Sequence, residues 1–243
     1  MRLRMLFQML VGGAALAVAG VTSVSAATSA SASFGLSGNT LSITLRNTSS
    51  GDSLVPVDVL TAVFFDISGN PLLHAGDATV ASGSVFETSW TGHGPHSVTT
   101  LAGITDVSSE WAFRQGQASG FGRYGIGSAG LGVFGPGDRF DTTGNLQGPV
   151  GVGGLQYGVA SLSDDRSTGN GDFNGTQLIQ GQVVFTLSVP DGFSLSQISH
   201  VNYVFGTTLG NPPPSTPDAG STLALLGLAL TGTGWLRRRI CRE

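Results

Sequence analysis

The feature that most narrows what this chain can fold into is a strict two-residue alternation of apolar and polar side chains. Across Thr40 to Arg46, Leu41, Ile43 and Leu45 take one side and Thr40, Ser42, Thr44 and Arg46 the other, the period of a strand buried on one face. The pattern returns late in the chain. Val183, Phe185, Leu187 and Val189 alternate with Gln182, Thr186 and Ser188, and Val201, Tyr203 and Phe205 alternate with His200 and Asn202. Between Ala27 and Pro217 no stretch sustains a 3.6-residue apolar period, so a helix there would have no continuous face to bury.

Turn chemistry divides these runs. Ser37-Gly38-Asn39 joins Ser31–Leu36 to Thr40–Arg46 as an opening hairpin. Val55–Ile67 is apolar on both faces around Val59–Phe65, which suits a strand at the centre of a sheet, and Ser68-Gly69-Asn70-Pro71 ends it. Shorter strands are expected at Ser84–Trp90, Glu110–Arg114 and Leu155–Ser161. The expected fold class is all-β: an antiparallel β-sandwich or jelly-roll-like domain of about eight strands. Gly116–Gly154 departs from the pattern, with 14 glycines in 39 residues. At that density a regular strand is costly, so a partly ordered excursion is expected, pinned to the domain by Phe121, Tyr124, Ile126, Leu131, Val133 and Phe134.

The two ends read differently from the body. Arg2 and Arg4 precede an uncharged run from Met5 to about Val21, and Val24-Ser25-Ala26 has the small residues a signal peptidase accepts. The expected division is a signal peptide at 1–26, with its helix, an extracytoplasmic domain at 27–210, a Pro-rich linker at 211–216 and a C-terminal segment at 217–243. In that last segment 18 uncharged residues separate Asp218 from Arg237, about 27 Å as a helix and enough to cross a bilayer. Leu223, Leu225, Leu226, Leu228, Leu230, Trp235 and Leu236 form the anchor. Arg237, Arg238 and Arg239 stop transfer and keep that end in the cytoplasm. A retained anchor and a cleaved one are both compatible with this pattern.

Charge and cysteine usage exclude several classes. The body carries thirteen Asp and Glu against five Arg and no Lys, a net charge of −8. Nucleic acid is disfavoured, because phosphates need clustered cations. The single cysteine, Cys241, lies beyond the arginines, so packing and hydrogen bonds must hold the exported domain.

No catalytic constellation stands out. Gly125-Ile126-Gly127-Ser128-Ala129-Gly130 has the spacing of a dinucleotide fingerprint, but more Gly and Pro follow where a helix should start. Asn170, Asp172 and Asn174, with Asp164 and Asp165 nearby, are weak calcium candidates, since the twelfth loop position is Gly181; an Asx-rich turn is the plainer reading. His93 and His96, with His74 or His200, form a metal candidate opposed by the reading that they are solvated loop histidines. Ser128 lacks the setting of a nucleophile elbow. Glu87 and Glu110, the only glutamates of the body, are expected as solvated strand residues. Trp90, Trp111 and Tyr124, with Phe113, are either a sugar-stacking platform or core. No cofactor and no metal is expected.

Thr216-Pro217-Asp218-Ala219-Gly220-Ser221-Thr222, followed by Leu223–Leu230 and the arginine cluster, resembles the sorting signals of exosortase-processed bacterial proteins. These are the PEP-CTERM class and its Val-Pro-Asp-Ser-Gly variant. Thr216 stands for the usual valine and Ala219 for the usual serine or glycine. The resemblance implies Pro217, Asp218, Ala219, Gly220 and Ser221 as the sorting motif, an exosortase-type enzyme as partner, and transient or permanent residence in the inner membrane. More loosely, Val59–Gly69, Trp111–Arg114, Gly130–Gly135 and Gly154–Gly158 resemble exosortase-dependent surface proteins. Those belong to the envelope and exopolysaccharide matrix of Gram-negative bacteria and bring no catalytic residues. The expected function is therefore that of a non-enzymatic surface or extracellular-matrix protein. A carbohydrate-binding module of the exopolysaccharide matrix and a secreted hydrolase are the alternatives.

Overall fold

The computed structural model describes residues 28–116, 120–141 and 154–210. The expected signal peptide, linker and transmembrane segment all lie outside the described residues. Among the described residues no helix is long and apolar enough to cross a membrane.

The body consists of β1 (Ala30–Ser37), β2 (Thr40–Asn47), β3 (Leu60–Ile67), β4 (His74–Ser89), β5 (Ser97–Leu101), β6 (Ala112–Gln115), β7 (Tyr124–Gly127), β8 (Val159–Ala160), β9 (Gln177–Ser188) and β10 (Ile198–Phe205). Short 3-10 turns are its only helical elements among the described residues. The described body is all-β, as its periodicity requires.

β9 and β3 are the two strands around which the others gather, each pairing with three neighbours. Beside β9, β2 runs antiparallel along one edge from Ser188 to Gln182, and β4 runs along the other from Ser188 to Gln177. Where β2 ends, β8 takes its place beside Ile179 and Gln180, in parallel orientation, so the ladder is not wholly antiparallel. β1 extends β2, and β5 extends β4. A second group forms around β3, with β10 on one edge and β7 then β6 on the other. β8 touches both groups, pairing Val159 with Leu60 of β3.

The two groups face each other across one apolar cluster. Leu41, Ile43 and Leu45 of β2 and Val183, Phe185 and Leu187 of β9 meet Val63, Phe65, Trp111 and Ile126 there. Phe34 sets its edge on Phe65 at 5.6 Å, and Trp111 lies 4.9 Å from Phe185. At one margin the Tyr203 hydroxyl accepts the Ala32 N–H at 2.9 Å, tying β10 to β1. Each large side chain withdrawn here contributes roughly 1.5–3 kcal/mol.

Departures from the sequence pattern have local causes. The expected run from Val55 starts only at Leu60, because Pro56 cannot donate to a ladder. Pro56–Asp58 forms a 3-10 turn instead, its Asp58 carboxylate accepting the N–H groups of Leu54 and Val55. Ser84–Trp90 is the tail of the 16-residue β4. Leu155–Ser161 is mostly turn, with Tyr157 at φ +56, and only Val159–Ala160 pairs. β5 carries no alternation against the core, being exposed along most of its length.

The largest correction concerns the glycine-rich segment. Tyr124–Gly127 is a buried strand between β3 and β6. Its glycines make room for aromatic rings: a Cβ on Gly125 would stand 2.6 Å from the Phe64 ring, and one on Gly127 2.6 Å from Phe134. Phe64 and Phe134 stack at 5.8 Å with Ala62, Ala112, Val133 and Val204 in a second cluster. The segment thus covers the outer face of the β3 group.

A second glycine pair sits where β4 meets β9. Gly83 (φ +107) lies opposite Gly181 (φ +147), and a Cβ on either would fall 1.9 Å from a backbone oxygen of the other strand. Gly181→Ala is expected to lower stability by about 3 kcal/mol, and Gly127→Ala by about 1–2 kcal/mol, while Gly38→Ala, whose turn is open but whose φ is positive, costs about 1–2 kcal/mol. Urea unfolding midpoints check this order; equal effects at Gly181 and Gly38 would contradict the backbone contact.

Candidate functional site

The strand registers gather several sequence candidates at one end of the body. β4 ends there at Ser89, β5 and β9 begin there, and the loops 48–58, 90–96 and 161–176 lie side by side. Trp90 is the hub. Its backbone N–H donates to Asn174 Oδ1 at 2.8 Å and its indole N–H to the Gly94 carbonyl at 3.0 Å. His96 stacks on the indole at 5.6 Å, only 8° from parallel. Gly171 lies against the ring so closely that a Cβ would come within 2.7 Å of it. The half-buried indole is therefore clasped by its own loops.

The calcium candidates form the clasp. Asn170 Oδ1 accepts the Asp172 N–H at 3.0 Å, and its amide donates to Asp172 Oδ2 at 3.0 Å. With Asn174 Oδ1 bonded to Trp90, the amide oxygens a cation would need accept backbone N–H groups instead, around the 3-10 turn Gly171–Phe173. This is the Asx-rich turn of the plainer reading. Among the described residues no three His, Cys, Asp or Glu side chains gather to hold a metal ion.

The histidines do not converge. His96 is buried, contrary to the expectation of a solvated loop residue, because its ring packs on Trp90 and its backbone N–H donates to the Ser167 carbonyl at 2.9 Å. His93 is exposed, His74 starts β4, and His200 lies on a bulge of β10 with Nδ1 3.3 Å from Asp66.

Of the aromatic platform candidates, Trp111 and Tyr124 are core, whereas Trp90 stays half-exposed. Trp111 is 0% exposed against Phe185, and Tyr124 is 1% exposed, stacked on Phe65 at 5.6 Å with its hydroxyl donating to the Pro71 carbonyl. Phe113 is buried too. Tyr124 and Ile126 lie on β7 and Phe113 on β6, so these side chains complete the core between the two strand groups.

The glutamates are engaged as well. Glu110 is buried in the turn before β6, rather than solvated in a strand. Burial pushes its carboxyl above the usual range, against the pull of Arg139 and a hydrogen bond from Ser109. Glu87 accepts Gln177 Nε2 at 3.0 Å. Gly125–Gly130 leaves β7 into turns rather than a helix, so the dinucleotide spacing has no helix N-terminus behind it.

The pattern missed a junction of three aspartates. Asp164 Oδ1 accepts the Ser53 N–H at 2.6 Å, and Asp52 Oδ1 accepts the Asp165 N–H at 2.9 Å, locking loop 48–58 to loop 161–168. Only the doublet Asp164-Asp165 hinted at it; its partner loop lies more than a hundred residues away in sequence. Arg166 then crosses to the β4 group, bonding Gln180, Thr100 and Ser84 with its guanidinium 4.8 Å from the Phe86 ring.

Residues 217–240 match the VPDSG-CTERM motif, a PEP-CTERM-like exosortase sorting signal. The match covers the expected motif residues from Pro217 and extends through the apolar run and the arginines. No curated protein and no solved structure matches the chain.

Burial raises the Asp164 carboxyl to about 6, with Asp52 and Asp165 adding to the rise while the Ser53 hydrogen bond and Arg166 oppose it. Because the folded value exceeds the unfolded one, the stability contributed by the neutral acid is full below about pH 4 and disappears as the pH rises through 6. Asp164→Asn should flatten this slope and raise stability at pH 7 by about 1–2 kcal/mol, after discounting for partial solvent exposure. Thermal midpoints of both forms between pH 4 and pH 8 measure it; an unchanged slope in the variant would assign the dependence elsewhere.

Proposed function

We propose that this chain is an exported surface or extracellular-matrix protein whose precursor is held in the inner membrane by its C-terminal segment and processed there by an exosortase-type enzyme. The sorting signal at 217–240 carries this reading. It combines a small-residue motif, an apolar run long enough to span a bilayer and a cytoplasmic arginine stop. Ala219, Gly220 and Ser221 offer a processing enzyme an unhindered backbone. Signal peptidase acts at the other end, near Ala26.

The body is a non-enzymatic structural or interaction domain of sandwich type. Its side chains support this through the uses they already have. Both glutamates and the Asx turn are hydrogen-bonded within the fold, and the His96 ring is stacked on Trp90.

One observation favours contact with neutral polysaccharide as a second reading, by a route other than the aromatics. The outward face of β1, β2 and β9 aligns hydroxyls across strands: Ser37 with Thr40 and Ser188, Ser42 with Thr186, and Ser33 with Thr44. Arg46 is the single charge among those outward positions of β1, β2 and β9. Such a face can exchange hydrogen bonds with sugar hydroxyls without the cost of burying charge.

Intact-mass measurement of the protein taken from its own cells tests the processing. The expected mass lacks the segment from about Ser221 onward as well as the signal peptide; a mass that still includes Leu223–Glu243 would leave a permanent anchor. Co-sedimentation with neutral polysaccharide tests the second reading. Replacing Thr40, Thr44 and Thr186 together by Val should reduce the bound fraction severalfold, whereas Trp90→Phe should not.

A further inference from the structure

Both ends of the described body emerge at the same end of the fold. β1 begins opposite Asn47, whose amide donates to the carbonyls of Asp58 and Val159. β10 finishes opposite Leu60, and the Gly206 N–H then donates to the Val59 carbonyl. The loops 48–58 and 161–168 therefore flank the point where the chain turns toward its C-terminal segment.

Those two loops present apolar side chains to solvent. Leu54 is 49% exposed, Val55 38%, Val57 44% and Leu162 44%. They are held together: Ser161 Oγ donates to the Ser49 carbonyl at 2.6 Å, and the Ser53 and Asp165 N–H groups bond across to Asp164 and Asp52. Rigid loops displaying aliphatic side chains are costly in water unless something covers them.

The length of chain beyond the body limits what that can be. From Gly210 to Pro217, where the sorting signal begins, the backbone reaches at most about 25 Å. β9 alone, with its 12 residues, spans about 40 Å. A tether this short cannot let the body invert, so Leu36, Leu72 and Leu195 at the opposite end stay away from the bilayer while the loops at the exit lie beside it.

From this geometry, and resting on the membrane-held precursor proposed above, we infer that Leu54, Val55, Val57 and Leu162 seat in the lipid interface and orient the body for processing at Pro217–Ser221. The partner is a neutral, zwitterionic lipid surface. Asp52, Asp58, Asp164 and Asp165 stand in the same loops, so the contact rests on apolar burial and gains nothing from anionic headgroups. Four half-exposed aliphatics bind weakly alone, which fits a contact that lasts only while the tail is present.

The test uses the full chain, signal peptide removed, in phosphatidylcholine vesicles containing acyl-brominated lipid. With Trp90 replaced by Phe throughout and Trp111 fully buried, native Trp235 reports insertion of the anchor by its own quenching. Leu54→Trp and Leu162→Trp should each add emission that is quenched about twofold, as for a side chain about 5–10 Å deep, unchanged in high salt. Leu72→Trp, at the opposite end, should add emission that is not quenched. If Trp235 is quenched but Leu54→Trp and Leu162→Trp behave like Leu72→Trp, the lipid contact is overturned and the loops are left to a protein partner. If Trp235 itself is not quenched, the membrane-held precursor fails, and the inference fails with it.

Discussion

Backbone pairing along β9 holds together one of the two strand groups of this body and ties it to the other. Its 12 residues hydrogen-bond to β4 on one edge and to β2, then β8, on the other. Because β8 also meets β3, the same ladder couples the two facing groups. A chain with few charges and no disulfide within its exported part has little else to rely on. Ladder hydrogen bonds fix its register, and burial of alternate side chains supplies the net stabilisation. The closeness of Gly83 and Gly181 shows how tight that ladder is, since the two backbones leave no space for a methyl group.

The glycine-rich region follows from the same need for close packing. Gly125 and Gly127 let Phe64 and Phe134 lie flat on β7, so glycine serves here as a socket for aromatic rings. The outcome is a further apolar cluster on the outside of the β3 group, built from residues that would otherwise expose a wide hydrophobic face. Where the backbone leaves this packing, Arg114 bonds the Val133 carbonyl at 2.5 Å and lies 3.7 Å from Asp138.

The division of labour between body and tail is clear in chemical terms. The tail carries an address that an enzyme and a membrane can read, whereas the body bonds most of its acidic and amide side chains internally and shows solvent a hydroxyl-rich face. Aromatic and acidic residues that looked suited to ligands in isolation are bonded to one another. Trp90 is clasped by His96 and Gly171, Tyr124 is stacked in the core, and Asn170 bonds its own turn. The loops at the chain exit are the exception, and their position is set by the strands that end there.

By itself the sequence determined the all-β class, the position of β2, the second halves of β9 and β10, and the sorting signal, because each rests on local periodicity or on a contiguous motif. Leu41, Ile43 and Leu45 can share a face in only one secondary structure, whatever surrounds them. Tertiary structure alone decided that Trp111 and Tyr124 are core, that β7 exists within a glycine-rich stretch, and that β8 runs parallel to β9. It also brought Ser53 to Asp164 and His96 to Trp90. These outcomes depend on which backbone lies opposite which, across separations of up to more than a hundred residues. Local propensity carries no term for a Phe134 ring waiting above Gly127, and that ring is what makes the glycine a strand residue.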